Sequence, residues 1–134
     1  MAELNERMLE FVRQQKSAII VTTRKDGSSH TARVTAGIVG GKIWISGTQN
    51  RVRTKHLRAN PRASVAVFAN DGRWLGVEAN VTILEGPDAP QKCLELRRAT
   101  GNEPADVDAF LRTMVEEQRL ICEFQPVRVY GRYE

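Results

Sequence analysis

Short stretches of alternating or consecutive apolar residues dominate the chain and predict that it consists mostly of strands. The predicted strands are Ser17–Thr23, His30–Val39, Lys42–Ser46, Ala63–Phe68, Arg73–Leu84, Arg119–Phe124 and Val127–Tyr133. Asp26-Gly27, Gly40-Gly41 and Asp71-Gly72 separate successive strands and are typical of tight hairpin turns. Strands joined by hairpins pair antiparallel, so the pattern predicts an antiparallel sheet.

The longest predicted strand, Arg73–Leu84, separates its residues cleanly between two faces. One face carries only apolar side chains and the other is mixed: Leu75, Val77, Ala79, Val81 and Ile83 alternate with Trp74, Gly76, Glu78, Asn80 and Thr82. The apolar face is therefore expected in the core, and the mixed face suits a pocket or a subunit contact.

Three longer helices are predicted from apolar residues spaced three and four apart or from their terminal signals. A helix over residues 3–16 carries a stripe of Leu4, Met8, Phe11 and Val12. A helix over Ala89–Ala99 ends before Gly101. The last begins at Pro104 and has a stripe that we expect to face the core, formed by Val107, Phe110, Leu111, Met114 and Val115.

A short helix is predicted over residues 50–59, between the third and fourth strands. Asn50 or Thr48 would cap it, and Asn60-Pro61 would end it. Its inward side chains would be those of Val52, His56 and Ala59.

The predicted element order favours a small antiparallel barrel with helices over its ends. Six or seven strands would curl into this mainly β (α+β) fold, and 134 residues form a single domain spanning 1–134. Strands do not alternate with crossover helices, so a doubly wound parallel sheet is disfavoured.

Composition is that of an ordinary soluble domain with a modest preference for anionic partners. The net charge is +4, with 41% hydrophobic and 27% charged residues. Cys93 and Cys122 lack metal-site spacing and are expected to be small buried hydrophobes in a reducing cytoplasm. The N-terminus lacks a signal-peptide core, and no apolar run is long enough for a membrane span.

Candidate chemistry concentrates in a window that contains no acidic residue. From Gly27 to Asn70 there is no Asp or Glu, although seven of the 20 Lys and Arg residues lie there. Such a window either surrounds an anion or reflects the scarcity of acids in strands. Small residues at Ser46-Gly47-Thr48, followed by Arg51 and Arg53 at a helix start, suit a phosphate site.

The other candidate residues are more ambiguous. Arg58 and Arg62 are interpreted as solvated surface charges, and Arg33 as either an exposed residue or an arm into a cleft. His30 is interpreted as a strand-surface residue and His56 as a helix-packing one. Nucleotide-binding loops, a metal-ligand cluster and a nucleophile motif are missing, so an enzyme of this sequence would depend on a bound cofactor.

The segment Thr54–Phe68, TKHLRANPRASVAVF, resembles a pattern of the pyridoxamine-5′-phosphate-oxidase-like split β-barrel flavoproteins. The closest resemblance is to their actinobacterial branch that uses the deazaflavin coenzyme F420. The opening helix, the IIVTT-x-x-DG hairpin, Asp71-Gly-Arg-Trp74 and Pro126-Val-x-x-Val-Tyr-Gly131 match in the same order. The resemblance covers nearly the whole chain and implies the FMN-binding type of split barrel.

The resemblance also implies a homodimer with two cofactors held between subunits. The residues that would hold the phosphate are Ser46, Gly47, Thr48, Arg51, Arg53 and Thr54. Arg33, Val34 and Thr35 would flank the ring, Lys55 would join the anionic tail, and Trp74 would reach the partner's site. Arg53 stands where relatives often have Lys, and Asn80 where they often have Gly.

The implied function is an F420H2-dependent oxidoreductase that transfers hydride to a small unsaturated organic substrate. FMN remains an alternative cofactor, and F420 is favoured because its oligoglutamate tail would gain more from an acid-free surface. A non-enzymatic cofactor carrier is a further alternative. A nucleic-acid-binding barrel is a remote one, because aromatic residues are only 6% and do not interleave with the basic ones.

Overall fold

A computed structural model describes residues 2–134 as seven strands flanked by four helices. In chain order the elements are α1 (Glu6–Gln15), β1 (Ser17–Thr23), β2 (Ser29–Thr35), β3 (Gly37–Val39), β4 (Lys42–Thr48), α2 (Val52–Ala59), β5 (Arg62–Phe68), β6 (Trp74–Leu84), α3 (Ala89–Ala99), α4 (Val107–Glu116) and β7 (Arg119–Arg132). Within these described residues, every helix is too short or too polar to cross a lipid bilayer.

All seven strands belong to one antiparallel sheet with the order β2-β1-β5-β6-β7-β4-β3. The last strand of the chain, β7, lies between β6 and β4 and pairs with both. The strands at the two ends of the order, β2 and β3, are separated in sequence only by Ala36, so the sheet must curl back on itself. This is the split β-barrel that the sequence predicted.

The predicted strand His30–Val39 is wrong as a single element, because it changes partner at Ala36. Before this residue β2 pairs with β1, ending at Ser17↔Thr35, and after it β3 pairs with β4, starting at Gly37↔Trp44. The Ala36 N–H leaves the ladder and donates to the Lys16 carbonyl over 2.7 Å. A curled sheet requires such a bend where the chain passes from one edge to the other.

The two strands predicted around Pro126 are one continuous strand with a bulge. Pro126 pairs with Ala79 and Arg128 pairs with Glu78, so Val127 has no partner in the β6 ladder. A proline lacks the N–H that a regular ladder needs, and a bulge accommodates it inside a sheet. Pro126 therefore lies at a bulge within one strand and not at a boundary between two strands.

The main core fills the inside of the curled sheet and is closed by α1. Its largest buried side chains include Ile20, Ile43, Ile45, Leu75, Val77, Leu120 and Phe124. The α1 residues Met8, Phe11 and Val12 are buried against them and Leu4 packs at the margin, as their spacing predicted. Burial of these apolar faces is the main favourable term in folding.

A second, smaller apolar cluster lies on the outer side of β4, beneath α3. Trp44, Cys93, Leu96 and Ile121 form it. A Cβ built on Gly37 of β3 would lie 2.5 Å from Leu96 Cδ1, so a larger residue there would force the Leu96 side chain of α3 to move. Cys93 and Cys122 are free and buried, as predicted, and burial raises the pKa of each thiol to about 11, so both are protonated.

The apolar stripe of α4 does not form the core face that its spacing predicted. The helix begins at Val107, with Asp106 as its N-cap, and none of its residues is buried. Val115 is 64% exposed, whereas Phe110 and Met114 are partly covered by the second cluster. The helix packs mainly against α3, which already covers this part of the sheet.

Candidate functional site

The candidate site lies where β4 ends and α2 begins. Arg51 is the N-cap of α2, and no side chain caps this helix, so the caps predicted at Asn50 and Thr48 are wrong. The Thr48 carbonyl accepts hydrogen bonds from the Arg51 N–H (3.3 Å) and the Thr54 hydroxyl (2.8 Å). The first N–H groups of a helix have no intrahelical acceptor and favour an anion.

The buried face of α2 is largely polar, in contrast to the predicted face of Val52, His56 and Ala59. Val52 is 54% exposed. The side chains that point inward are those of Arg53, Thr54 and Leu57. Thr54 reaches the Thr48 carbonyl of β4, and Leu57, only 2% exposed, anchors the helix in the main core.

Arg53 carries a buried positive charge at this corner. Its residue is 8% exposed, and its Nη2 donates to the Ser46 carbonyl at 3.1 Å. Within residues 2–134 it makes no ion pair with a carboxylate. Burial lowers the pKa of Arg53, and the nearby charges of Arg51 and Arg119 lower it further. A buried guanidinium beside like charges would be stabilised by an anion.

Arg119 is a site residue that sequence reasoning missed. It opens β7 and pairs in register with Thr48. Its Nε donates to Glu117 Oε1 at 2.8 Å. Its proximity to Arg53 follows from the pairing of β4 with β7, which are far apart in sequence, so no local pattern could have indicated it.

Other residues of the predicted site occupy the same corner in different ways. Thr35 and Ser46 border a common cavity of about 260 Å³. Gly47 is buried beside Leu120 and Thr54, so only its backbone is available to a ligand.

The ring-flanking residues predicted on β2 point to opposite sides. Val34 lies in the main core, and only its backbone could contact a ligand. Arg33 and Thr35 are exposed on the other face, and Arg33 Nη2 donates to Ser17 Oγ at 3.4 Å. The structure thus leaves the Arg33 side chain on the surface rather than in the core.

Lys55 lies on the outer side of α2, beside a basic groove of about 620 Å³. We define the basic groove by Arg24, Lys25, Lys55 and His56, which line it together with Thr23, Gly27, Ala59 and Asn60. No Asp or Glu is among these lining residues. Arg24 and Lys25 were not predicted as site residues, because they precede the acid-free window.

Trp74 is not brought to this corner within one chain. It pairs with Arg132 at the far end of β7, whereas Thr48 pairs with Arg119 at the near end. The intervening strand spans about 40 Å at the usual rise per residue. Trp74 is exposed and lies edge-on to Tyr130, with ring centroids 6.0 Å apart.

His30 is not the simple strand-surface residue that the sequence predicted. It is partly buried, its Nδ1 has no hydrogen-bond partner in the described part of the chain, and its ring centroid lies 5.2 Å from that of His56. Burial lowers the pKa of His30, so its imidazole tends to be neutral. His56 packs as predicted, with Nδ1 3.0 Å from Thr22 Oγ1.

Arg58 is engaged by a carboxylate outside the acid-free window. Its Nη1 and Nη2 contact the two Glu85 oxygens at 3.0 and 2.8 Å, and Nη2 also contacts Gln49 Oε1 at 2.6 Å. Hydrogen bonds from Arg58, and then from Gln49, lower the pKa of Glu85 to about 2. Arg58 is therefore not available to a phosphate, and Arg62 is exposed as predicted.

This architecture defines an antiparallel split β-barrel with a cluster of cations at one corner. A family model described as pyridoxamine 5′-phosphate oxidase matches residues 4–133. The chain therefore belongs to that family, as its sequence resemblance indicated.

Solved structures with the same fold include proteins that are named for different cofactors or for no function. A conserved hypothetical protein from Mycobacterium tuberculosis has a TM-score of 0.83 at 21% identity over 99% of this chain and 85% of its own. An F420 reductase has a TM-score of 0.72 at 19% identity, over 90% and 94%. A pyridoxamine 5′-phosphate oxidase-related FMN-binding protein from Nostoc punctiforme has a TM-score of 0.67 at 10% identity, over 98% and 84%.

Proposed function

We propose that this chain is an F420H2-dependent reductase that acts as a homodimer on a small unsaturated organic substrate. The observation that carries the proposal is the buried guanidinium of Arg53, which has no carboxylate partner in residues 2–134 and lies at an uncapped helix start. The similar barrel of an F420 reductase supports the same class of cofactor.

The donor set fits a phosphate ester. Arg53 would contact it from the buried side and Arg51 from solvent, with the first N–H groups of α2 between them. The Thr54 hydroxyl donates to Thr48, so it positions the turn rather than the ligand. Ser46 and Thr48 would border the phosphate, while Arg33, Thr35 and the Val34 backbone would flank the ring.

The basic groove favours F420 over FMN. F420 continues beyond its phosphate into a chain of glutamates, whereas FMN ends at the phosphate. Arg24, Lys25 and Lys55 would attract those carboxylates from both walls of the groove. When bound, F420H2 supplies a hydride at its deazaflavin ring. The protein would orient that ring and exclude water from it.

The outer face of the sheet supports the proposed homodimer. Phe68, Trp74 and Tyr130 are exposed there, although large apolar side chains usually avoid solvent. Tyr130 lies across Gly76, where a Cβ would come within 2.4 Å of its ring, and its hydroxyl donates to Glu78 at 2.9 Å. A second copy would cover this face, and the family resemblance implies that its Trp74 then reaches the first copy's cofactor.

The test is a titration of the purified protein with three ligands, followed by fluorescence or absorbance. We expect F420 with its glutamate tail to bind most tightly, F420 without glutamates more weakly, and FMN weakest. Equal affinity for the first two would remove the role of the basic groove, and tighter binding of FMN would make this an FMN enzyme. Binding of none of the three would end the proposal.

A second measurement separates a reductase from a carrier. Reduced F420 is supplied without oxygen together with a panel of unsaturated acceptors, and its reoxidation is followed. Turnover with any acceptor supports the enzyme, whereas tight binding without turnover across the panel supports a cofactor carrier. Sedimentation analysis of wild type and Trp74→Ala tests the homodimer, which the variant should weaken.

A further inference from the structure

The cavity that Thr35 and Ser46 border lies between the outer side of β4 and the helices α3 and α4. The cavity of about 260 Å³ is bordered by Thr35 and Ser46 on the sheet and by Arg97, Phe110, Met114 and Arg119 around its mouth. Its volume lies just below the range of about 300–1,000 Å³ typical of drug-sized ligands, so it suits a smaller molecule.

The charges around this cavity are all positive. Arg97 and Arg119 line it, and no Asp or Glu does. Arg119 is neutralised in part by Glu117, at 2.8 Å, whereas Arg97 makes no ion pair with any carboxylate of residues 2–134. The Arg97 guanidinium instead lies 5.4 Å from the centroid of the Phe110 ring. A guanidinium held in this way can form two parallel hydrogen bonds to a carboxylate.

The remaining walls are apolar or neutral. Leu96, Phe110 and Met114 offer apolar surface, and the thiol of Cys93 is protonated because burial raises its pKa to about 11. Phe110 and Met114 of α4 line this cavity, so the apolar stripe of that helix is only partly covered. The cavity therefore combines two cationic side chains with apolar walls.

We infer that this cavity binds a small carboxylic acid with a flat, unsaturated body, held through its carboxylate by Arg97 and Arg119. As the identity of the hydride acceptor, this assignment rests on the proposed function, because the cavity shares Thr35, Ser46 and Arg119 with the proposed cofactor site. As a binding site, it stands on the cavity and its charges alone.

The binding test uses cinnamate as the probe and cinnamamide as its neutral counterpart. In protein with ¹³C-labelled methionine methyl groups, Met114 lines the cavity and Met8, in the main core, is an internal reference. We expect cinnamate to shift the Met114 signal and not the Met8 signal, with at least tenfold weaker binding of cinnamamide. No Met114 shift at millimolar cinnamate, or equal binding of the two probes, would overturn the inference.

Variants on α3 assign the carboxylate contact. Arg97→Ala should weaken cinnamate binding at least tenfold, and Arg97→Lys should restore part of it. Arg98→Ala is the matched control, because Arg98 is exposed, pairs with Glu103 at 2.7 Å and does not line the cavity. A loss in Arg98→Ala as large as in Arg97→Ala would indicate a general charge effect and contradict the site.

The cofactor titration keeps the two proposals separate. F420 affinity should be the same in wild type and Arg97→Ala, and cinnamate should not displace F420. Displacement would place the cavity within the cofactor's own site and overturn the inference. If the protein binds cinnamate but not F420, the cavity is a binding site and the proposed reductase is rejected. If it binds F420 but not cinnamate, the cavity is rejected as a site and the proposed reductase stands.

Discussion

Helices α2 and α4 both pack against the curled sheet, yet they bury different kinds of side chain. On α2 a guanidinium and a hydroxyl point inward, at Arg53 and Thr54, while Val52 is exposed to solvent. On α4 a well-spaced apolar stripe remains only partly covered. Neither arrangement follows from the rule that apolar residues face the core.

The difference shows that the surface beneath a helix determines which of its side chains are buried. The α2 helix lies over the end of β4, where backbone carbonyls need donors, and Arg53 and Thr54 supply them. The α4 helix lies over a cavity and over another helix, so its apolar residues have only a partial partner. Departures from local patterning of this kind are expected beside functional sites.

The largest effect should come from Leu57, the apolar anchor of α2. Leu57→Ala removes a side chain that is almost fully buried in the main core, and we expect the free energy of unfolding to fall by about 2–5 kcal/mol. Urea denaturation measures it. Val52→Ala on the same helix is the control, with an expected change within about 0.5 kcal/mol. A larger loss in the control than in Leu57→Ala would restore the face originally predicted for this helix.

Arg53→Met tests whether the buried charge serves binding rather than folding. The methionine keeps an unbranched apolar side chain but loses the charged hydrogen bonds, which are worth about 1.5–3 kcal/mol each. We expect F420 affinity to fall about 10–100-fold. The unfolding free energy should change by no more than about 1 kcal/mol, because removing a buried, unpaired charge offsets the loss of the hydrogen bond to the Ser46 carbonyl. Arg62→Ala, on an exposed position of β5, should leave affinity unchanged. Unaltered affinity in Arg53→Met would mean that the phosphate lies elsewhere.

The ion pair between Arg58 and Glu85 predicts a smaller loss of stability at acidic pH. Its folded-state pKa of about 2 lies below the usual value of 4.5, so its contribution is present above pH 4.5 and is lost as the pH falls towards 2. The pair is exposed, and about 1 kcal/mol is the upper limit of its contribution. Glu85→Gln should flatten the decline in thermal stability between pH 5 and 2. An unchanged decline would show that other carboxylates cause it.

The smallest effect is expected at Val115 on α4. This side chain is largely exposed, so Val115→Ala should change the free energy of unfolding by no more than about 0.5 kcal/mol. The same measurement on Leu57→Ala provides the contrast. A loss above about 2 kcal/mol would mean that α4 is covered in solution, for example by a second copy of the chain.

Much of the fold was predictable because it is encoded locally. Alternation gave the strands, and the Asp-Gly and Gly-Gly turns joined them into an antiparallel sheet. The change of partner at Ala36 was not predicted, because its one local signal is Gly37, and a single glycine inside a strand is equally compatible with a bulge or a close backbone approach. The placement of β7 between β6 and β4 is likewise set by packing across the whole chain.

The candidate site was predictable in its centre and not at its borders. The acid-free window and the small residues before α2 pointed to Arg51 and Arg53, and the structure brings them to one corner. Arg119 at its border could not be predicted, since it reaches this corner only through the register of β7, and Arg97 reaches the neighbouring cavity only through the packing of α3. The binding role of all these residues remains a prediction.

The position of β7 also governs how the chain can be made. During synthesis β4 and β6 emerge from the ribosome before the strand that pairs with both of them. Until residue 132 has emerged, those two strands have open edges that could associate with other nascent chains. A deletion that removes part of β7 should therefore produce insoluble protein.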